Sequence, residues 1–259
     1  MLINLKRRSE SLDEVTVGRS IDRRPVRLAV RGSHTLIIGL TGSGKGSAIA
    51  SIIAALCRCP EPWELAFIDL KRGTEAAFYE GLITRKAYTL DDAVELVDSL
   101  LDMVNQRADA LHGRTRNLKP STEYPQQILV IDEAAELAAG VDKKTRETSQ
   151  HLLQALDELL RIGRAWGFSC IAATQDPRVE SFKLRPRFPQ RLCLRVSDES
   201  EAKMCMGNHA IDAGATPWLL SSDKPGACWY ASTEGGSPQC FRFRYYSDDE
   251  IRALNHAPR

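Results

Sequence analysis

One stretch constrains this chain more than any other: GLTGSGKGS, residues 39–47. Gly39, Gly44 and Lys45 stand at the spacing G-x-x-x-x-G-K, the pattern of a phosphate-binding loop. In such a loop successive backbone N–H groups turn inward and form a nest for phosphate oxygens. A helix N-terminus just beyond adds partial positive charge. The loop needs a strand before it and a helix after it, and the flanks supply both. HTLIIG is a short apolar strand, and GSAIASIIAALCR reads as a helix. Gly39, Leu40, Thr41, Gly42, Ser43 and Gly44 are therefore predicted to wrap the phosphates of ATP, with Lys45 reaching the β- and γ-phosphates. One position departs from the pattern. The residue after the lysine should carry a hydroxyl for magnesium, and it is Gly46; Ser47 follows one place late, roughly 100° further round the helix. Gly46 and Ser47 complete the predicted nucleotide contacts. The metal is expected to be held with a water in the vacant place, or by Ser47 after a shift of the loop.

Further elements follow from hydrophobic period. WELAFIDL (63–70), QQILVI (126–131), FSCIAAT (168–174) and QRLCLRV (190–196) are predicted as buried strands. Residues 90–111 and 145–166 carry apolar residues at helical spacing, the first through Val94, Val97, Leu101, Val104 and Leu111, and Gly167 stops the second. RPVRLAVRG alternates and reads as an edge strand. ACWYAS and CFRFRYY read as an antiparallel hairpin at a sheet edge. Ser247 opens a final short helix through the capping box SDDE. Strands alternating with helices predict an α/β fold with a mostly parallel central sheet covered on both faces.

In a parallel sheet, ligands bind at the carboxyl ends of the strands. ILVIDE ends there in Asp132, placed to hold Mg²⁺ through water, and in Glu133, placed as the base that orients a water. A water-activating carboxylate favours hydrolysis over transfer to another substrate. The strand ELAFID is expected between the glycine-loop strand and the Asp-Glu strand. IAATQD should neighbour both of those, putting Gln175 near the γ-phosphate. Phosphoryl transfer also calls for an arginine, often from a neighbouring subunit. Arg164 is the first candidate, with Arg187 and Arg191 as alternatives.

Composition excludes several classes. The 259 residues carry a net charge of +1, so the chain is no polybasic binder as a whole. The longest apolar run, AIASIIAALC, is too short to span a bilayer, and the charged N-terminus lacks the apolar core of a signal peptide. Seven cysteines without a C-x-x-C pair fit reduced, buried thiols better than a zinc site. Charge is nevertheless local: residues 1–31 hold eight Lys/Arg against four acids.

Taken in order, these segments resemble the FtsK/SpoIIIE family of DNA translocases. VGRSIDRRPVRLAVRGSHTLIIGLTGSGKG is similar to that family's entry strand, histidine and phosphate loop. FIDLKRGTEAAFYEG, TRN (115–117), VIDEAAEL, GRAWGFSCIAATQDPRVE, FPQRLCLRV and KPGACWY are similar to later signatures. The Gly-Lys-Gly-Ser loop resembles the plasmid-transfer, Tra-type branch. The resemblance implies a RecA-like P-loop ATPase, spanning 32–259 after a basic segment and edge strand at 1–31. It implies a homo-hexameric ring that moves double-stranded DNA by hydrolysing ATP with Mg²⁺. Longer members add membrane helices and a DNA-reading winged helix, which this sequence does not contain. The expectation is a cytoplasmic protein, recruited to the inner face of the membrane or to specific DNA by a partner chain.

Two basic loops are the candidate DNA contacts: Arg114, Arg116 and Lys119 in HGRTRNLK, and Arg178, Lys183 and Arg185 in the segment after Gln175. Such residues would bind phosphates without reading sequence; they equally suit a solvated loop or a subunit contact. Asp69 and Lys71 stand open between a place near the nucleotide and a subunit interface. A second functional class shares this core: the ATPase modules of type VII protein secretion, which grip polypeptide. A nucleotide-binding scaffold without turnover is a third.

Overall fold

A computed structural model describes residues 10–176, 178 and 182–256. The basic residues Lys6, Arg7 and Arg8 lie outside them. Ten strands form one sheet: β1 Val15–Ser20, β2 Pro25–Leu28, β3 Thr35–Ile38, β4 Trp63–Ile68, β5 Ile83–Ala87, β6 Gln126–Ile131, β7 Phe168–Thr174, β8 Gln190–Cys193, β9 Ala227–Ser232 and β10 Gln239–Phe243. Their spatial order is β2-β1-β10-β9-β8-β3-β7-β6-β4-β5. From β8 to β5 every pairing is parallel; from β8 to β2 every pairing is antiparallel.

The central strands are buried along their whole length, as helices on both faces require. Alternation sorts them between two cores. Leu36, Ile38, Leu129, Ile131, Cys170 and Ala172 face one side, against α2 (Leu90–Ala110), α3 (Lys143–Gly163) and α4 (Glu199–Met206). Ile37, Phe67, Ile128, Val130, Ile171 and Ala173 face the other, against α1 (Lys45–Leu56) and α6 (Asp248–Leu254). A short α5, Asn208–Asp212, follows α4. Capping boxes open α2 (Thr89 with Asp92), α3 (Asp142 with Thr145) and α6 (Ser247 with Glu250). These reciprocal bonds satisfy N–H groups that the first turn leaves unpaired.

Several expectations change. The predicted edge hairpin is a hairpin, but it is internal: β9 pairs with β8, and β10 with β1. β1 went unread because Gly18, Arg19 and Ser20 interrupt its Val15–Val17 alternation. The true edges are β2, which starts at Pro25, and β5, whose Arg85 and Lys86 are what a solvent-facing edge tolerates. β5 went unread for the same reason. The strand between β3 and β6 is β7, not β4; β4 lies beyond β6. The buried face of α2 runs through Ala93, Leu96, Val97, Leu100 and Val104, so Val94 and Leu101 flank the contact with α3. The second long helix ends at Gly163, and a 3-10 turn, Arg164–Trp166, completes it before Gly167.

Candidate functional site

Parallel pairing brings five strand ends to one edge of the sheet. Thr174 O accepts from Gly39 N–H, Ile68 O from Asp132 N–H, and Ala87 O from Asp69 N–H. The phosphate loop leaves β3 and turns into α1 without a side-chain cap on Gly44. The first-turn N–H groups of α1 therefore remain available to an anion. The loop is braced from outside: Gly226 N–H donates to Ser43 O at 2.8 Å. Gly44 adopts φ +105°, and a Cβ on it would lie 2.4 Å from Gly226 N. Close approach and left-handed backbone both demand glycine there.

Lys45 folds back over its own loop, its Nζ donating to Gly39 O at 2.8 Å and Leu40 O at 3.3 Å. Burial brings its pKa down to about 8, opposed by Glu133 and Asp132 and reinforced by Lys71. Thr41 donates its hydroxyl to Gln175 Oε1, so the loop touches the end of β7 directly. Ser43 Oγ is buried with no hydrogen-bond partner among the described residues.

Glu133 is only 8% exposed. Gln175 N–H donates to its carboxylate at 3.0 and 3.2 Å, and Lys71 Nζ stands 3.6 Å away. Asp132 is held above the usual carboxylate range by burial, with Asp69 and Glu133 adding to the effect. Asp69 resolves into an organiser. Buried at the end of β4, it accepts N–H bonds from Lys71 (3.0 Å), Glu75 (2.8 Å) and Ala76 (3.1 Å). One side chain thus fixes both the lysine facing Glu133 and the following turn. That turn sets Glu75 against the phosphate-loop helix: a Cβ on Gly46 would meet Glu75 Oε1 at 3.4 Å. Burial pushes the Glu75 pKa up to about 7, with Asp132, Asp69 and Asp248 reinforcing.

The donor set suits magnesium. Mg²⁺ takes hard oxygen ligands, usually one or two carboxylates together with substrate phosphates and water. Among the described residues no three His, Cys, Asp or Glu side chains form a cage of their own. Ser43 Oγ, which has no partner among the described residues, and the Asp132 and Glu75 carboxylates near the loop fit an ion delivered with phosphates.

Other predicted residues do not join this edge. Arg164 sits before β7, at the opposite edge, donating to Gly32 O (2.7 Å) and Glu234 (2.6 Å). The seven residues of β7 separate it from Gln175 by about 20 Å. It cannot reach its own phosphate loop. Arg187 is engaged by Asp157 (2.7 and 2.9 Å), and Arg191 donates to the carbonyls of Phe188, Cys205 and Arg185. Arg114, Arg116 and Lys119 are exposed on the loop that docks at the Arg164 edge through Leu118 N–H to Ala165 O. Arg178 lies at the nucleotide edge, bonded to Asp176, so the two basic loops form no single patch there. Lys183 is exposed, but Arg185 is buried with its guanidinium on Met204 O and presents no surface to DNA.

Glu75 and Gly226 escaped sequence reading. Glu75 looks like an ordinary turn acid seven residues past a strand. Gly226 could have been suspected from the Lys-Pro-Gly segment, but not its contact with Gly44.

A glycine-rich loop between strand and helix, with Asp-Glu two strands over and Gln175 on the strand between, defines a RecA-like P-loop nucleotide-binding domain. The FtsK/SpoIIIE family model matches residues 4–120. A sporulation regulatory protein of Streptomyces azureus is 30% identical over 227 residues, covering 85% of this chain and 74% of that protein. The chain belongs to the FtsK/SpoIIIE family of ATPases. DNA translocase FtsK of Staphylococcus epidermidis is 25% identical over 263 residues, covering 92% of this chain but 31% of the translocase. This chain therefore spans about a third of that relative's length. Among solved structures, the pCW3 conjugation coupling protein TcpA with ATPγS superposes with TM-score 0.80 at 23% identity, over 95% of this chain and 70% of TcpA. The cytoplasmic domain of the type VII secretion ATPase EccC of Thermomonospora curvata gives 0.72 at 20% identity, over 97% of this chain and 32% of EccC. No helix of the described residues is long and apolar enough to cross a membrane.

Proposed function

We propose that this domain hydrolyses ATP and uses the cycle to move double-stranded DNA, in the transfer of a plasmid or other mobile element. The observation that carries the reading is the convergence of Lys45, Glu133 and Gln175 at one sheet edge, linked by the Thr41–Gln175 and Gln175–Glu133 hydrogen bonds. Lys45 leaves its loop carbonyls for the β- and γ-phosphates. Asp132 holds the magnesium shell, and the bound ion supplies charge neutralisation at the phosphates. Glu133 orients the attacking water, and Lys71 keeps its carboxylate aimed at that edge. Loss of the γ-phosphate changes what Gln175 contacts. Because Gln175 also accepts from Thr41, the change reaches the loop and the segment beyond Asp176.

Arg164, at the opposite edge, serves a neighbouring subunit's nucleotide in a homo-hexameric ring. Arg114, Arg116, Lys119, Arg178 and Lys183 offer exposed cations for DNA phosphates. Similarity to DNA translocases and to a conjugation coupling protein supports this reading. The likeness to EccC supports a second one, in which the transported chain is a polypeptide. ATP turnover separates them. Duplex DNA should stimulate it, and the stimulation should fall steeply between about 50 and 200 mM salt, as counterion release requires. Stimulation by a peptide and none by DNA would favour the second reading. No turnover under any condition would reject both.

A further inference from the structure

The phosphate loop lacks the hydroxyl that ordinarily follows its lysine, and the space that a side chain at 46 would enter is bordered by a carboxylate. An ideal Cβ on Gly46 would stand 3.4 and 3.5 Å from the two Glu75 oxygens and 3.7 Å from its Cδ. Glu75 is not a wandering surface acid. Asp69, buried at the end of β4, accepts the N–H groups of both Glu75 and Ala76 and fixes the turn that presents it. Tyr79, fully buried four residues on, stacks its ring on Phe67 of β4 and so anchors the end of the same segment. Asp132 leaves the adjacent strand, with its N–H bonded to Ile68 O next to Asp69. A carboxylate thus borders the loop position that has no side-chain oxygen, on a turn held next to the strand that ends in Asp132.

We propose that Glu75 supplies the divalent cation with the protein oxygen that Gly46 does not, so that the loop binds metal through Glu75 and Asp132 in place of a hydroxyl and Asp132. The proposal rests on the ATP-site reading and extends it to the metal. A carboxylate in this role differs from a hydroxyl in sign. It strengthens binding of the metal–nucleotide complex and repels nucleotide phosphates when metal is absent. Metal and nucleotide should therefore be coupled more tightly here than in a hydroxyl-bearing loop. Ser47, on another face of α1, has no part in it.

The test is equilibrium binding of ATPγS, titrated calorimetrically with Mg²⁺ and again with EDTA. The proteins are the unmodified chain, Glu75→Gln, Gly46→Ser and the double variant, with Mn²⁺ electron paramagnetic resonance on each ATPγS complex. Glu75→Gln should cut the Mg²⁺-over-EDTA affinity ratio by 10-fold or more, through weaker metal-loaded binding and stronger metal-free binding. It should also change the Mn²⁺ spectrum. Adding Gly46→Ser to Glu75→Gln should restore most of the metal-loaded affinity, since the serine Cβ is accommodated at 3.4 Å. An unchanged ratio and an unchanged Mn²⁺ spectrum in Glu75→Gln, with the thermal midpoint kept, would overturn the proposal alone. Failure of the unmodified chain to bind ATPγS with Mg²⁺ would overturn the ATP-site reading and this proposal together.

Discussion

Gly44 and Gly42 both sit in left-handed backbone, at φ +105° and +74°, yet alanine should affect them very differently. Around Gly42 nothing lies within 4 Å of a new Cβ. Gly42→Ala should therefore carry only the backbone penalty, about 1–2 kcal/mol. At Gly44 the same methyl would stand 2.4 Å from Gly226 N, 2.8 Å from its Cα and 3.2 Å from Pro225 C. These are main-chain atoms, so no rotamer change relieves the overlap. Segment 225–226 must move away, which breaks the 2.8 Å bond from the buried Gly226 N–H to Ser43 O. Stranding that donor costs about 1–3 kcal/mol more. Gly44→Ala should thus lose about 2–5 kcal/mol in total. Urea unfolding of the two variants measures the difference, and ATPγS titration measures whether the loop survives. Gly44→Ala should lose nucleotide binding, while Gly42→Ala keeps a weakened form of it. Equal losses of stability in the two would refute the claim that the 225–226 segment clamps the phosphate loop.

His34 should make the fold acid-sensitive. It is fully buried, with Nε2–H donating to Leu160 O at 2.9 Å and Nδ1 accepting from Cys170 N–H at 3.0 Å. Burial holds its pKa down at about 4, against 6.5 when free. The unfolded chain takes up the proton first, so this contribution is complete above about pH 6.5 and is lost as pH falls toward 4, at up to about 1.4 kcal/mol per pH unit. Urea midpoints at pH 7 and pH 5 should diverge less in His34→Gln than in the unmodified chain; equal divergence would contradict this. Asp69→Ala leaves three N–H groups without their acceptor and should lower stability by about 2–4 kcal/mol, while Asp69→Asn, which keeps one acceptor oxygen, loses less. Arg164→Ala removes a half-exposed ion pair worth about 1 kcal/mol or less. It should stay folded but fail to turn over ATP, and mixing it with Glu133→Gln subunits should restore part of the activity; failure of the mixture would contradict action across a subunit interface.

The parallel core was legible because its signals are local. An apolar strand running into a glycine loop, or ending in Asp-Glu, states its direction and its place at the ligand edge. Position in the sheet was less legible. ELAFID and FSCIAAT are both buried apolar strands, and their sequences do not say which one inserts beside β3. The hairpin of β9 and β10 alternates as an edge pair would, yet β1, hidden behind Gly18 and Arg19, covers it. Arg185 shows the same limit: among loop cations it looked available, and only the fold reveals that its guanidinium is spent on a backbone carbonyl. Glu75 and Gly226 lie about 30 and 180 residues from the loop they touch, and no periodicity connects them.

In the proposed mechanism Glu133 activates water at an ATP site. Glu133→Gln keeps an oxygen to accept the Gln175 N–H and loses the charge that faces a half-exposed Lys71 and, more distantly, Lys45. Stability should change by about 1 kcal/mol or less. Measured side by side, ATP affinity should stay within a few-fold of the unmodified chain while turnover falls about 10²–10⁴-fold. Turnover at the unmodified rate, with ATP bound normally, would contradict it.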